Sequence, residues 1–399
     1  MLACRSSGEA FVIPPFLFST APRIVFEPGA AARLSAFAQG LGPRVLVVTD
    51  AGLVGLGLPD AALASLRENA VVEVFHEVEA DPSRATVMRA QDRAKAMDAT
   101  GIVGFGGGSS LDVAKVVALL AGSGEPLDEA FGVGNARGPR LPLVLVPTTA
   151  GTGSEVTAVS IITVENDRKM GVVSPLILPD AAVLDPDLTT GLPAHVTAAT
   201  GIDAMVHAIE AYASKSANNN PLSRTLAVEA LRLLGPNIET AVRAPDDRAA
   251  RGAMLLGSML AGMAFANAPV AAVHALAYPV GGIFHVPHGL SNALVLPHVL
   301  RFNAAEPENG SAALYAELAP HAFPDLADMG GPARCEAFVE RLAALSADLG
   351  LETRLREVGV ARSDLPRMAR EAMLQTRLLV NNPREMKEAD ALAIYEAAL

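Results

Sequence analysis

The sequence predicts an α/β unit built on a parallel sheet, followed by an all-helical unit. Two observations predict it. In the first half, short β-branched apolar runs alternate with segments of helical length, the rhythm of a parallel sheet covered on both faces. After Asp185-Pro186-Asp187 that alternation stops, and Ala/Leu/Met-rich segments of helical length take over. The boundary is therefore expected near residue 190, giving parts 1–190 and 191–399. A chain of 399 residues is long enough for two cores. No repeat or low-complexity linker separates them, so the two parts are expected to pack closely around a cleft.

Residues 44–50 read as a buried strand because the apolar run is continuous rather than alternating. A short helix over 61–69 and a strand over 71–75 follow. Residues 82–97 have helical character, 101–105 form a strand, 112–121 a helix and 143–146 another strand. Strands over 160–163 and 181–184 flank a hairpin or excursion near 165–169. In the second half the clearest helices cover 222–234, 248–266, 312–318, 335–349 and 390–399. Ile202, Met205, Val206 and Ile209 also follow the 3.6-residue period.

Trp is absent and aromatics make up 4%, so Ala, Val and Leu must fill most of the core. A formal charge of −12 without any Lys/Arg run argues against nucleic acid as a partner. Cys4 and Cys335 cannot make a disulfide framework and read as thiols of a reducing compartment. The N-terminus lacks a secretory pattern, and a cytoplasmic location is expected. Residues 252–300 contain no Asp, Glu, Lys or Arg. Asn267, Pro269, Pro279, Gly281, Gly282, Pro287 and four histidines interrupt that run, so it reads as a buried helical wall lining a site rather than a membrane span.

Three groups of residues carry chemistry. Gly106-Gly107-Gly108-Ser109-Ser110 lies between a strand and a helix. Glycines there let the backbone approach a pyrophosphate, free N–H groups at the helix start bind its charge, and Ser109 and Ser110 are placed as N-caps or phosphate donors. Thr148, Thr149, Thr152 and Ser154 belong to a second hydroxyl- and glycine-rich loop directly after a strand. Ligands of open α/β sheets bind beyond such strand ends. Asp50 ends an earlier strand, where a carboxylate either accepts from a ribose and repels a 2′-phosphate or simply caps a helix. In the second half, Asp203 and His207 stand at i and i+4 and can grip one ion. A carboxylate with imidazoles suits iron or zinc better than calcium or magnesium. His274 and His288 follow within the uncharged stretch.

With these motifs, the chain resembles the iron-containing (group III) alcohol dehydrogenases over nearly its whole length. The resemblance rests on Gly106-Gly-Gly-Ser-Ser-Leu-Asp-Val-Ala-Lys115, Pro147-Thr-Thr-Ala-Gly-Thr-Gly-Ser-Glu155 and Gly201-Ile-Asp-Ala-Met-Val-His-Ala-Ile-Glu210. It continues through Val273-His-Ala-Leu-Ala-Tyr-Pro-Val-Gly-Gly282, Val286-Pro-His-Gly-Leu-Ser-Asn292 and Asn381-Asn-Pro-Arg384. It implies a dinucleotide-binding α/β domain followed by an all-helical metal domain, with NAD and a divalent metal, Fe2+ or Zn2+, as cofactors. The implied ligands are Asp203, His207, His274 and His288. Lys169 joins Asp50, the three glycines, Ser109 and the Thr148–Ser154 loop as a cofactor-binding residue. The implied reaction interconverts a small alcohol with its aldehyde or ketone, in a homo-oligomer, expected to be a dimer.

The chain departs from the family in places. Tyr278 stands where many members carry a histidine, and is either a proton relay or an aromatic packing residue. Pro269 and Ala271 replace common glycines, and Asp81-Pro82 replaces a frequent Asn-Pro. Phe265 and the uncharged wall over 259–273 are expected to shape the substrate pocket. His285 reads as a structural or rim residue, and His76, His195, His298 and His321 as ordinary. Two rivals remain: a reductase of acidic substrates such as maleylacetate or 2-oxo acids, and a dehydroquinate-synthase-like lyase. The lyase needs several basic residues around its substrate, which the uncharged wall does not supply.

Overall fold

The computed structural model describes residues 14–165 and 168–399. Cys4 and the N-terminal segment read for a signal lie outside the described residues, as does the tip of the expected hairpin. A six-stranded, all-parallel sheet forms the first half, in the order β1 (Ile24–Phe26), β9 (Ala181–Leu184), β6 (Leu143–Pro147), β4 (Gly101–Gly106), β2 (Arg44–Val48), β3 (Val71–Phe75). Its central strands are buried on both faces, which explains their continuous apolar runs. From β2 the chain crosses to β3 on one side and then to β4 on the other. That reversal opens a crevice beyond the carboxyl ends of β2 and β4. A three-stranded sheet of β5 (Gly132–Val133), β8 (Arg168–Val173) and β7 (Val159–Val164) lies beside it, and the antiparallel β7–β8 pair is the expected hairpin. β1 and β5 are too short to be legible as strands; β1 is fixed by pairing with β9, over 150 residues away in sequence.

The helices of this half are α1 (Leu34–Phe37), α2 (Ala51–Gly55), α3 (Asp60–Arg67), α4 (Arg84–Ala96), α5 (Gly108–Ser123) and α6 (Leu127–Ala130). Two cores sandwich the sheet: Leu46, Ile102 and Leu145 point to α4 and α5, and Val45, Val103 and Val146 to the face that α3 covers. From residue 194 only helices follow: α7 (Ala194–Ala213), α8 (Pro221–Arg243), α9 (Arg248–Asn267), α10 (Ala272–Phe284), α11 (His288–Ala304), α12 (Ser311–Ala322), α13 (Gly331–Asp348), α14 (Leu365–Met373), α15 (Thr376–Leu379) and α16 (Glu388–Ala398). By length and composition α9 could cross a membrane, but it packs against α7 and α8 in the core of the helical half. α10 keeps its helix through Pro279. The Tyr395 hydroxyl donates to the Leu276 carbonyl at 2.7 Å, one residue beyond the carbonyl that loses its donor to the proline ring.

The two halves meet where the loop after β6 touches α9. Gly153 has φ 58°, and a Cβ there would stand 2.5 Å from the Gly262 Cα, so backbone meets backbone. This contact sets the loop's Thr149 and Thr152 over the glycine turn after β4 and its Gly151 against α7.

Candidate active site

Four side chains converge on the helical side of the crevice. Asp203 and His207 project from one face of α7, His274 from the first turn of α10, and His288 begins α11. One ligand atom from each lies within 4.8 Å of the others. Asp203, His207 and His274 are buried, whereas the His288 side chain is 41% exposed, so the cluster opens on the His288 side.

The hydrogen bonds decide which atoms face the centre. His274 Nδ1 lies 2.7 Å from the Glu210 carboxylate, and His207 Nδ1 lies 3.2 Å from the Gly151 carbonyl. Both partners only accept, so both Nδ1 atoms carry the proton and both Nε2 atoms present lone pairs. Those two Nε2 atoms face each other at 3.0 Å. Two lone pairs that close repel unless a cation lies between them. Asp203 Oδ1 stands 3.9 Å from His274 Nε2 and 3.8 Å from His288 Nε2. A tetrahedral site with bonds of about 2.1 Å puts its donors about 3.4 Å apart. The donor set therefore fits one small divalent transition metal ion.

The electrostatics agree. Burial pushes His207 down to about 3, against the pull of Asp203, so its imidazole stays neutral and able to ligate. Burial alone would raise the Asp203 carboxyl, but His207, His288, His274 and the Asn292 amide outweigh it and hold it below its usual range.

Two residues with no role assigned from sequence complete the shell. Glu210, one helical turn beyond His207, accepts from His274 Nδ1 and from the Val273 N–H at 2.7 Å. It thus orients a candidate ligand and satisfies an orphan donor at the start of α10. Asn292, one turn beyond His288, donates to Asp203 Oδ1 at 2.6 Å. The i+3 and i+4 spacings were the available signals. Phe265 stacks on the His207 ring with centroids 4.3 Å apart, so it braces a candidate ligand. Tyr278 lies with its ring centroid 6.1 Å from that of His288, and Arg377 Nη2 stands 3.4 Å from its hydroxyl. His285 ends α10 with φ 56°, exposed and outside the cluster.

Across the crevice, the glycine turn after β4 leads into α5. Gly106 has φ 148°, and a Cβ on it would meet Ser110 Oγ at 2.8 Å. Gly107, not a serine, is the N-cap of α5. The serine-cap expectation is corrected: Ser109 and Ser110 lie inside the first turn, where their N–H groups are among the free donors. A Cβ on Gly108 would meet Thr152 Cγ2 at 2.8 Å, and one on Gly107 would meet Thr149 Cγ2 at 3.4 Å. Thr148 is buried beneath them. Ser154 is corrected as well. Its hydroxyl donates to Asp112 Oδ1 at 2.6 Å and accepts from Lys115 at 2.7 Å, buried behind the loop and committed to structure. Asp50 caps α2 by accepting from the Leu53 N–H at 2.9 Å through Oδ1. Lys169 pairs with Asp81 at 2.6 Å, and both charges act on His288, which places them at the crevice mouth.

Comparison with known proteins gives a consistent result. The profile of iron-containing alcohol dehydrogenases matches residues 21–186, and that of the C-terminal part of the Fe-containing alcohol dehydrogenase family matches 197–399. Long-chain-alcohol dehydrogenase 1 of Geobacillus thermodenitrificans is 41% identical over 387 residues, covering 94% of this chain and 96% of that protein. The NAD-dependent methanol dehydrogenase of Bacillus methanolicus is 33% identical, covering 96% and 99%. The crystal structure of a 1,3-propanediol oxidoreductase superposes with a TM-score of 0.91 at 35% identity, covering 96% of this chain and all of that one.

Proposed function

The chain belongs to the iron-containing alcohol dehydrogenase family, and from that premise we propose that it interconverts a small alcohol and its carbonyl compound with NAD(H), using a divalent metal. The observation that carries this reading is the His207 Nδ1–Gly151 hydrogen bond of 3.2 Å. It fastens the four-donor cluster to the loop that, with the glycine turn, forms the crevice where a dinucleotide fits. The balanced reaction is RCHO + NADH + H+ giving RCH2OH + NAD+. When bound, the cation supplies Lewis acidity for the reacting oxygen, and the nicotinamide supplies the hydride donor or acceptor.

The protein's own residues do the rest. Asp203, His207, His274 and His288 would hold the cation, with Glu210 and Asn292 fixing the orientation of His274 and Asp203. Gly106, Gly107, Gly108 and the Ser109 N–H would cradle the pyrophosphate, flanked by Thr149 and Thr152. The Asp50 Oδ2, not used in the helix cap, would face the ribose and favour NAD over NADP. Tyr278 would pass the hydroxyl proton towards solvent on the open side of the cluster. Support for a homodimer comes from the sheet edge at β1, where Ile24 and Phe26 are both exposed. A light-scattering mass of one 41.2 kDa chain would contradict the dimer.

The test is an anaerobic screen of short alcohols and aldehydes against metal-reconstituted protein with NAD(H) and NADP(H). Turnover with NAD(H) that disappears on chelation supports the proposal. Absence of turnover with every alcohol and aldehyde would remove it.

A further inference from the structure

Resting on that reading, we infer that the substrate carries an anionic group, a carboxylate or sulfonate, at the end remote from its reacting carbon, and that Arg377 holds it. The inference starts from position. Arg377 lies on α15, which packs against α10, the helix of His274 and Tyr278. Its Nη2 stands 3.4 Å from Tyr278 Oη, and the Tyr278 ring centroid stands 6.1 Å from that of His288, on the exposed side of the donor cluster. Cluster, phenol and guanidinium therefore follow one another outward from the place where the reacting oxygen must sit.

Its lack of an ion pair sharpens this. Arg301, Arg341, Arg362, Arg367 and Arg384 elsewhere in the helical half each pair with a carboxylate. Arg377 has no carboxylate partner among the described residues; its one side-chain partner is the neutral phenol. The other cation near His288, Lys169, is already neutralised by Asp81 at 2.6 Å. The wall over 252–300 brings no charge of its own. A planar guanidinium left free beside an uncharged wall is suited to bidentate binding of a carboxylate or sulfonate. A simple alkanol would leave it unused, whereas an ω-carboxylated aldehyde of short chain would engage both ends of the site. The uncharged wall, which from sequence argued against the lyase and left a reductase of acidic substrates open, is completed from outside by a residue 99 positions beyond Tyr278.

The test uses the full metal-reconstituted chain with NADH and two aldehydes of equal carbon count, succinic semialdehyde and butanal. The unaltered protein is expected to favour the semialdehyde in kcat/KM by at least about tenfold. Arg377→Ala should lower the semialdehyde-to-butanal ratio by about 10- to 100-fold, as loss of a hydrogen-bonded charge pair does, chiefly through KM. Arg377→Lys should lie between, and Arg377→Gln reports the same ratio should the alanine variant not fold. Turnover of butanal with no preference for the semialdehyde, or a ratio unmoved by the substitutions, overturns this inference alone. Failure to turn over either aldehyde overturns the alcohol–carbonyl reading and the inference with it.

Discussion

Replacing Glu210 by Gln should weaken metal binding without touching a ligand. The Glu210 side chain is 5% exposed and uses both oxygens: one takes the Val273 N–H and the other the His274 Nδ1–H, each at 2.7 Å. A carboxamide offers one acceptor and one NH2. If its oxygen keeps Val273, the NH2 faces His274 Nδ1 and moves the imidazole proton to Nε2, removing the lone pair from the cluster. If its oxygen keeps His274, the NH2 meets the Val273 N–H, and a buried donor goes unsatisfied at a cost of about 1–3 kcal/mol. Loss of such an outer partner typically lowers metal affinity 10- to 100-fold. That range corresponds to about 1.4–2.8 kcal/mol. Competition with a fluorescent chelator under anaerobic conditions measures it directly, with circular dichroism confirming that the variant is folded. A folded Glu210→Gln protein with unaltered metal affinity would refute the argument that Glu210 acts through the His274 tautomer.

Three further substitutions probe other parts of the account. Tyr278→Phe removes only the hydroxyl; as a proton relay it should lower kcat by about 10²-fold with metal content unchanged. Near-normal turnover across pH would assign the ring to packing. Asp50→Gly should relax the preference for NADH over NADPH, while costing the α2 cap only a few tenths of a kcal/mol. Tighter NADPH binding by the unaltered protein in fluorescence titration would remove that role. Glu155 is buried, and burial raises its carboxyl to about 7, with Lys115 pulling the other way. The folded protein thus holds a proton that the unfolded chain releases near its ordinary value of 4.5. The resulting stability is fully present below that value and is lost as pH rises through about 7. Denaturant midpoints of Glu155→Gln should therefore fall less than those of the unaltered protein over that window; parallel pH profiles would contradict it.

The legible parts of this chain are those whose cause is local. Continuous β-branched runs reveal β2, β4 and β6 because both faces of those strands are buried. The i, i+4 spacing reveals Asp203 and His207 because one helix sets it. Features with distant causes were not legible. The contact that gives Glu210 its role spans 64 residues, and the one that brings Arg377 to the site spans 99. Ser154 looks like a ligand donor in its loop, but buried Lys115 and Asp112 claim its hydroxyl from the far side of that loop. Ser109 looks like a cap because serine prefers caps, yet the close approach of Thr152 requires glycine at 108, and the cap falls on Gly107. Pro279 hides α10 because local propensity opposes a helix that burial sustains.

The central claim is that Asp203, His207, His274 and His288 hold one catalytic cation, and metal stoichiometry tests it most directly. Protein reconstituted anaerobically with Fe2+, or with Zn2+ in a parallel sample, is desalted and measured by elemental analysis beside His207→Ala prepared identically. With the His207 and His274 Nε2 atoms 3.0 Å apart and unable to bond each other, the unaltered chain should retain about one ion and the variant only a small fraction of one. Full occupancy in a folded His207→Ala protein, or no retained metal in the unaltered one, would contradict the account.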